Sequence, residues 1–352
     1  MSANNERDDI VTPEERKLLV LSLVVEQFIE TGEPAGSRLL SELMKNSFSS
    51  ATLRNDMSAL DKVGFLEQPH ASAGRVPTHR GIRLYLDRLM RVAPLSELEK
   101  AEIDALFNVR NADPDKILED AAQSLSDITG LATVTTTIIP KTVTVKSIQI
   151  VLVGKQTVVI LLAVSSGVVK NKVCRLDFEV SPQIIDFFTK FSNSRLDGVS
   201  LDVITSSYIN ALSVSMGQYS GVFLPVMSAI YELVREINDG QYFYKGTTNL
   251  LKYPELEETA YEIFSLIENG EEFIKMVSER TTPTEILIGK ETLNVPLAQS
   301  AVLISRYHIG DSAVGGIGVI GPTRMNYKQL IPKVDYFATM LGKLLSDTYT
   351  EQ

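Results

Sequence analysis

The hydrophobic period of this chain changes repeatedly, and that pattern constrains its fold more than any single motif. Residues 133–139, 145–153, 157–165 and 168–180 are rich in Val, Ile and Thr. Turn signals such as Gly154-Lys155 and Ser166-Gly167 separate them, which reads as an antiparallel meander. Ser181-Pro182 then opens a mainly helical stretch that runs to 280. Within it Val222, Val226, Ile230, Leu233 and Ile237 recur at helical spacing, a core or subunit-interface stripe rather than the wall of a ligand pocket. Residues 255–268 and 271–280 read as two more helices divided by Asn269-Gly270. Strands return at 284–289, 300–307 and 313–320, before a last helix at 327–346. Neither strand block covers both faces of a sheet by itself. The two are therefore joined as one α+β domain, 95–181 and 281–352, interrupted by a mainly helical insertion at 182–280. A chain of 352 residues has room for two or three such units.

Residues 1–94 read as a separate head. Thr12-Pro13-Glu14-Glu15 is a capping box with proline at the first helical position. Leu18, Leu21, Val25 and Phe28 line one face of that helix, and Gly32 ends it. A shorter helix at 37–44 turns Leu39, Leu40 and Leu43 inward. A third starts at Ser49 or Ser50, packs through Leu53, Met57 and Leu60, and stops at Gly64. Its other face holds Ser50, Thr52, Arg54, Asn55 and Ser58. Arginine can take guanine O6 and N7 bidentately, and asparagine can take adenine N6 and N7, which is what a major-groove reader requires. Phe65-Leu66-Glu67 suits a short strand. Pro69 and Gly74 frame a polar hairpin tip with His70, Ser72 and Arg75. Pro77-Thr78 opens a helix bearing Arg80, Arg83, Arg88 and Arg91. A solvated helix with a polar face would explain 49–64 alone. With the hairpin attached, a winged helix-turn-helix is the better reading. The candidate DNA contacts are Ser50, Thr52, Arg54, Asn55, His70, Ser72, Arg75, Arg80 and Arg83. Beyond the head, an amphipathic helix at 95–109 carries it. Asp113-Pro114 starts another, with Ile117, Ala121, Leu125 and Ile128 inward and Gly130 past its end.

A net charge of −10 argues against a nucleic-acid partner until its distribution is considered. Residues 37–91 hold nine Lys/Arg against five Asp/Glu, so that segment carries +4 and the remainder −14. His70 and His79 also lie there. A local basic patch on an acidic protein suits a regulator that must not coat DNA indiscriminately. The single cysteine, Cys174, excludes an internal disulfide and a Cys-based zinc site, and points to the cytosol. Residues 1–10 are polar and acidic, unlike a signal or transit peptide. No run approaches the roughly 20 apolar residues of a membrane span.

Enzymatic readings are weaker. Gly316-x-Gly318-x-x-Gly321 matches the dinucleotide fingerprint as a string and would suit an NAD-binding oxidoreductase. That mechanism needs a helix opening at the third glycine and a further strand beyond it. Pro322-Thr323-Arg324 follows instead, and only 31 residues remain. Glycines in a strand and turn against packed backbone explain the string better. His308 has no neighbouring ligand in sequence, Cys174 suits a core, and Ser165-Ser166 carries no nucleophile motif. No catalytic residue, metal or cofactor is expected.

The string A-T-L-R-N-D-M-S-A-L-D-K-V-G-F-L-E-Q-P-H-A-S-A-G-R-V-P-T-H-R-G-I-R-L-Y-L-D (51–87) strongly resembles the HrcA family of bacterial heat-shock repressors. So do E-T-G-E-P-A-G-S (30–37) and G-V-I-G-P-T-R-M-N-Y (318–327). The likeness covers nearly the whole chain. Ala71 stands where the family usually has Thr, Asp61 where it has Glu and Ala35 where it has Val; only Ala71 falls at a DNA-facing position. The resemblance implies a split GAF-like domain interrupted by an inserted dimerising domain. It also implies a homodimer on the CIRCE inverted repeat upstream of chaperone operons, kept active by the GroE chaperonin. The expected function is negative regulation of heat-shock operons. A winged regulator whose GAF-like body senses a metabolite is the alternative.

Overall fold

Thr12 and Glu15 start the first helix as their spacing dictates. Thr12 Oγ1 accepts from the Glu15 N–H at 3.2 Å, and the Glu15 carboxylate accepts from the Thr12 N–H at 2.8 Å. In this computed structural model, which describes residues 12–107, 113–138, 143–279, 281–310 and 313–350, that helix is α1 (Pro13–Thr31). The expectations for residues 1–10, 108–109, 139 and 280 lie outside the described residues. Gly32, at φ +75°, ends α1. The buried face of α1 is Val20, Leu21, Val24 and Val25, while Leu18 is exposed and Phe28 half-buried. The stripe is shifted because the middle of α1 faces both α3 and the wing.

α2 (Ser37–Leu43) buries Leu40 and, against expectation, exposes Leu43. α3 (Ser50–Lys62) is capped by Ser49, whose Oγ accepts from the Thr52 N–H at 3.1 Å. Gly64 follows it at φ +78°. β1 (Leu66–Glu67) pairs antiparallel with β2 (Val76–Pro77), and Arg75 and Ala35 exchange backbone hydrogen bonds at 2.9 Å beside them. α4 (His79–Leu84) runs into a wider π-wound turn, Tyr85–Leu89. Val20, Leu21, Leu40, Leu53, Leu60, Leu66 and Tyr85 make the head's core. The head thus consists of three helices, a two-stranded hairpin and α4.

α5 (Glu97–Leu106) and α6 (Pro114–Thr129) lead into β3 (Ala132–Ile138). Here the expected meander loses its first strand. β4 (Val145–Gly154), β5 (Thr157–Val164) and β6 (Val169–Arg175) form a three-stranded antiparallel sheet without β3. α7 (Pro182–Leu196), α8 (Ser206–Ser215) and α9 (Ser220–Asn238) pack with this sheet in one apolar cluster, which spans Val143 to Ile237. Val226, Ile230, Leu233 and Ile237 of α9 are all in that core. β7 (Gln241–Lys245), α10 (Ala260–Asn269), α11 (Glu271–Glu279), β8 (Thr284–Ile288), β9 (Ser300–Ile309), β10 (Ala313–Pro322) and α12 (Tyr327–Thr350) complete the chain.

The second sheet runs β7-β3-β10-β9-β8, antiparallel throughout, with β3 paired to β10 from Ile138↔Val314 to Ala132↔Ile320. Leu303, Tyr307, Ile317 and Val319 pack against α6 and α12. Val134, Val302, Ile304 and Ile320 pack with Ile263, Ile267, Phe273 and Val277 of α10 and α11. β3 belongs here because Ala132 to Thr137 are all buried, which demands cover on both faces, whereas β5 alternates buried and half-buried residues. The stretch read as one helical insertion from 182 thus divides: residues to 238 pack with β4–β6, and those from 241 pack on the larger sheet. The glycine string sits in β10 and its turn. A Cβ on Gly316 would lie 2.5 Å from Val277, and one on Gly318 would lie 2.6 Å from the Leu303 carbonyl. These glycines serve close packing, and no helix opens at Gly321. Among the described residues no helix is long and apolar enough to cross a membrane, and no cluster of His, Cys, Asp and Glu could hold a metal.

Candidate nucleic-acid interface

The exposed face of α3 is set by what its inner face holds. Leu53, Met57 and Leu60 enter the head's core together with the Asp56 carboxylate. Asp56 accepts from Arg16 Nε at 2.6 Å and from Arg16 Nη2 at 3.2 Å. The same guanidinium lies 5.3 Å from the Phe48 ring. A buried, doubly bonded carboxylate fixes the roll of α3, since turning the helix would strand its charge. Arg54 and Asn55 therefore both face solvent. Arg54, Lys62 and Lys45 have no acidic partner among the described residues. Ser50 is half-buried in the first turn. Thr52 is committed to the cap, its hydroxyl 2.9 Å from Ser49 Oγ.

The wing is braced from inside. Gln68 Nε2 donates to the carbonyls of Ala71 at 3.0 Å and Ala73 at 2.9 Å, which holds the tip closed with His70 and Ser72 outward and exposed. Gly74 approaches the strand beneath so closely that a Cβ would sit 2.2 Å from the Ala35 carbonyl oxygen. Thr78 donates to the Gly64 carbonyl at 2.7 Å and accepts from the Gly81 N–H, tying the wing's exit to the end of α3. Between α3 and the wing lies an open cleft of about 510 Å³ lined by Arg38, Arg54, Ser58, Gln68, Ser72 and Arg75.

Three of the expected contacts have partners within the protein. Arg75 lines the cleft, but its Nε lies 2.8 Å from Asp61 in an ion pair that is not aligned as a hydrogen bond. It braces the wing against α3. Arg80 and Arg83 lie outside the cleft, because α4 leaves β2 towards the body. Arg80 stacks over Phe65 at 5.4 Å. Arg83 donates to the Ile286 carbonyl at 2.7 Å and pairs with Glu291 and Asp87. Burial alone would weaken ionisation of both Arg83 and Glu291. Their mutual hydrogen bond and attraction reverse this, holding the Glu291 carboxyl below its ordinary range and raising Arg83. Two contributors escaped the sequence reading. Arg38, in the first turn of α2, has a side chain 91% exposed, and its one acidic partner among the described residues is Glu42 at 3.4 Å. Gln68 acts through the wing tip. A basic residue at the start of the helix before the reader is the signal that points to Arg38; nothing in sequence points to Gln68.

Acids that dilute the local charge are thus spent inside the head: Asp56 on Arg16, Asp61 on Arg75, Asp87 on Arg83. The cleft keeps its positive side. A solved structure titled as a hypothetical protein at 2.2 Å resolution shares the fold, with a TM-score of 0.67 at 21% identity over 95% of this chain and 99% of that one. The family model described as HrcA protein C terminal domain matches residues 115–331. Relatives named heat-inducible transcription repressor HrcA match along almost their whole length. That of Clostridium perfringens strain 13 is 33% identical over 323 residues, 90% of this chain and 94% of the relative. That of Halalkalibacterium halodurans is 32% identical over 343 residues, 96% and 99%. With a family model across well over half its length and relatives of that identity, this chain belongs to the HrcA family of heat-inducible transcription repressors, negative regulators of heat-shock genes.

Proposed function

We propose that this repressor acts as a homodimer on the CIRCE inverted repeat, with α3 of each chain in a major groove and the wing tip on the flanking backbone. The observation that carries the reading is the adjacent, exposed Arg54 and Asn55 on a helix whose roll is fixed by Asp56. Arg54 and Asn55 read base edges. Ser50, Arg38 and the wing residues His70 and Ser72 contact phosphate or the minor groove. A titration of the protein with labelled CIRCE and scrambled duplexes, at stated salt, tests it. Arg54→Ala and Asn55→Ala should each cost about 1–3 kcal/mol and relax preference at particular base pairs. Arg38→Ala should weaken both duplexes alike and lower the salt slope by roughly one. Equal affinity of the wild type for both duplexes would sink the reading.

The pairing surface belongs to the unit at 143–238 that interrupts the α+β body. A body split around such a unit supports the GAF-like reading. The outer face of its sheet bears a row of apolar residues in register, Val151↔Val159↔Val173, with Ala163↔Val169 two rows along. Val151 is 46% exposed and Val173 64%. A second copy would cover this face around a two-fold axis. Val151→Lys with Val173→Lys should yield a monomer by sedimentation that keeps its far-UV signature. An undiminished dimer removes this face from the proposal. The GroE chaperonin completes it as the partner that maintains the active fold.

A further inference from the structure

Two of the stretches that set this chain apart, 30–37 and 318–327, are distant in sequence and meet in space. Gly32 backs onto Arg324, so closely that a Cβ would lie 3.2 Å from its Nε. Arg324 in turn stacks over Tyr253 at 5.6 Å and donates to Glu255 at 2.5 Å. Less than two turns earlier on α1, Glu26 accepts from Lys328 Nζ at 2.6 Å and from the Tyr85 hydroxyl at 3.2 Å. A second anchor lies on α4. Arg83 pairs with Glu291, which also accepts from the Ile288 N–H at 2.9 Å, so the acid is itself fixed to the body. His79 packs against Gly289, where a Cβ would lie 2.5 Å from its Cε1. Ile29, Ile82, Leu86 and Met90 of the head pack into the body's core. The interrupting unit is tied to the body through Lys170 and Asp115 at 2.5 Å.

A head held by two charged anchors with apolar packing between them cannot rock without breaking one of them. We propose that Lys328 and Glu291 are positioning residues which fix the direction of α3 relative to the body, so that the dimer selects the distance between half-sites as well as their bases. This rests on the two-fold DNA-bound reading above. Each added base pair moves a half-site by about 3.4 Å along the duplex and about 35° around it. A rigid head cannot follow that displacement; a loosened one can.

The test compares wild type with Lys328→Gln/Glu291→Gln on CIRCE duplexes whose spacer is shortened or lengthened by up to two base pairs, and on a single half-site. Wild type should lose at least about tenfold in affinity when the spacer departs from the native one, as effective concentration at the second half-site falls. The double variant should bind the half-site as wild type does while that spacer penalty shrinks severalfold. A fold-wide defect would move the half-site affinity too, and each single substitution repeats the measurement if the double variant melts early. A variant that keeps the wild-type spacer penalty overturns the proposal. So does one that gains affinity on every duplex alike, since the anchors would then be holding the head away from DNA. If wild type binds half-site and full repeat equally, the dimer reading itself has failed.

Discussion

Gly74 and Gly81 show how a single missing methylene sets how closely the head packs. A Cβ on Gly74 would meet the Ala35 carbonyl oxygen at 2.2 Å, and one on Gly81 would meet that of Phe65 at 2.1 Å. Both oxygens are backbone and cannot swing away. Gly74→Ala and Gly81→Ala should each destabilise the head by about 1–3 kcal/mol or more, seen as a lower melting temperature. Gly221→Ala, in α9 with nothing within 4 Å of the added carbon, should instead leave stability unchanged or raise it by about 0.5–1 kcal/mol. At the same scale, the Glu291 carboxyl is held below its ordinary value, mainly by Arg83 working against burial. Its contribution is therefore present above the unfolded carboxylate pKa of about 4.3 and lost as pH falls through the folded value. Hydrogen exchange at 79–90 should accelerate on acidification below that range in wild type. The pH dependence should be weaker in Glu291→Gln.

At the scale of elements, what was legible in sequence is what is local. α3 is readable because its cap at Ser49, its stripe of Leu53, Met57 and Leu60, and its stop at Gly64 all fall within one short segment. The wing is readable for the same reason. β3 was misplaced because a strand buried on both faces shows no alternation, and nothing in 132–138 names a partner beyond residue 240 or 313. Arg83 reads as a DNA contact in sequence because its acid, Glu291, is 208 residues away. Arg75 has a nearer partner. Asp61 lies on α3 itself, and only the folded hairpin brings the two together. Arg75→Ala should therefore loosen the wing rather than delete a phosphate contact. The expected result is faster hydrogen exchange at 66–77, with a salt slope close to that of wild type.

At the scale of the whole molecule, the heat signal needs a state variable. The folding equilibrium itself can supply one. Unfolding rates rise steeply with temperature, and pairings distant in sequence refold slowly. The sheet that centres on β3 is of that kind, and its Val- and Ile-rich strands are what a chaperonin captures when exposed. Active-site titration with labelled operator after mild heating should recover a larger active fraction with chaperonin and ATP than without. Equal recovery in both arms would remove chaperonin dependence from this protein.

The position of β3 has one more consequence. It lies between β7 and β10, yet its β10 partner is about 180 residues further along the chain, which at roughly 5–20 residues per second leaves the ribosome some 9–36 s later. Until β7 is made, about 110 residues after it, this central strand has both edges open, and from then until β10 it has one, while the head, encoded first, can already fold. Each newly made repressor therefore passes through a stage in which its head can fold while its body still lacks the strands that close its sheet.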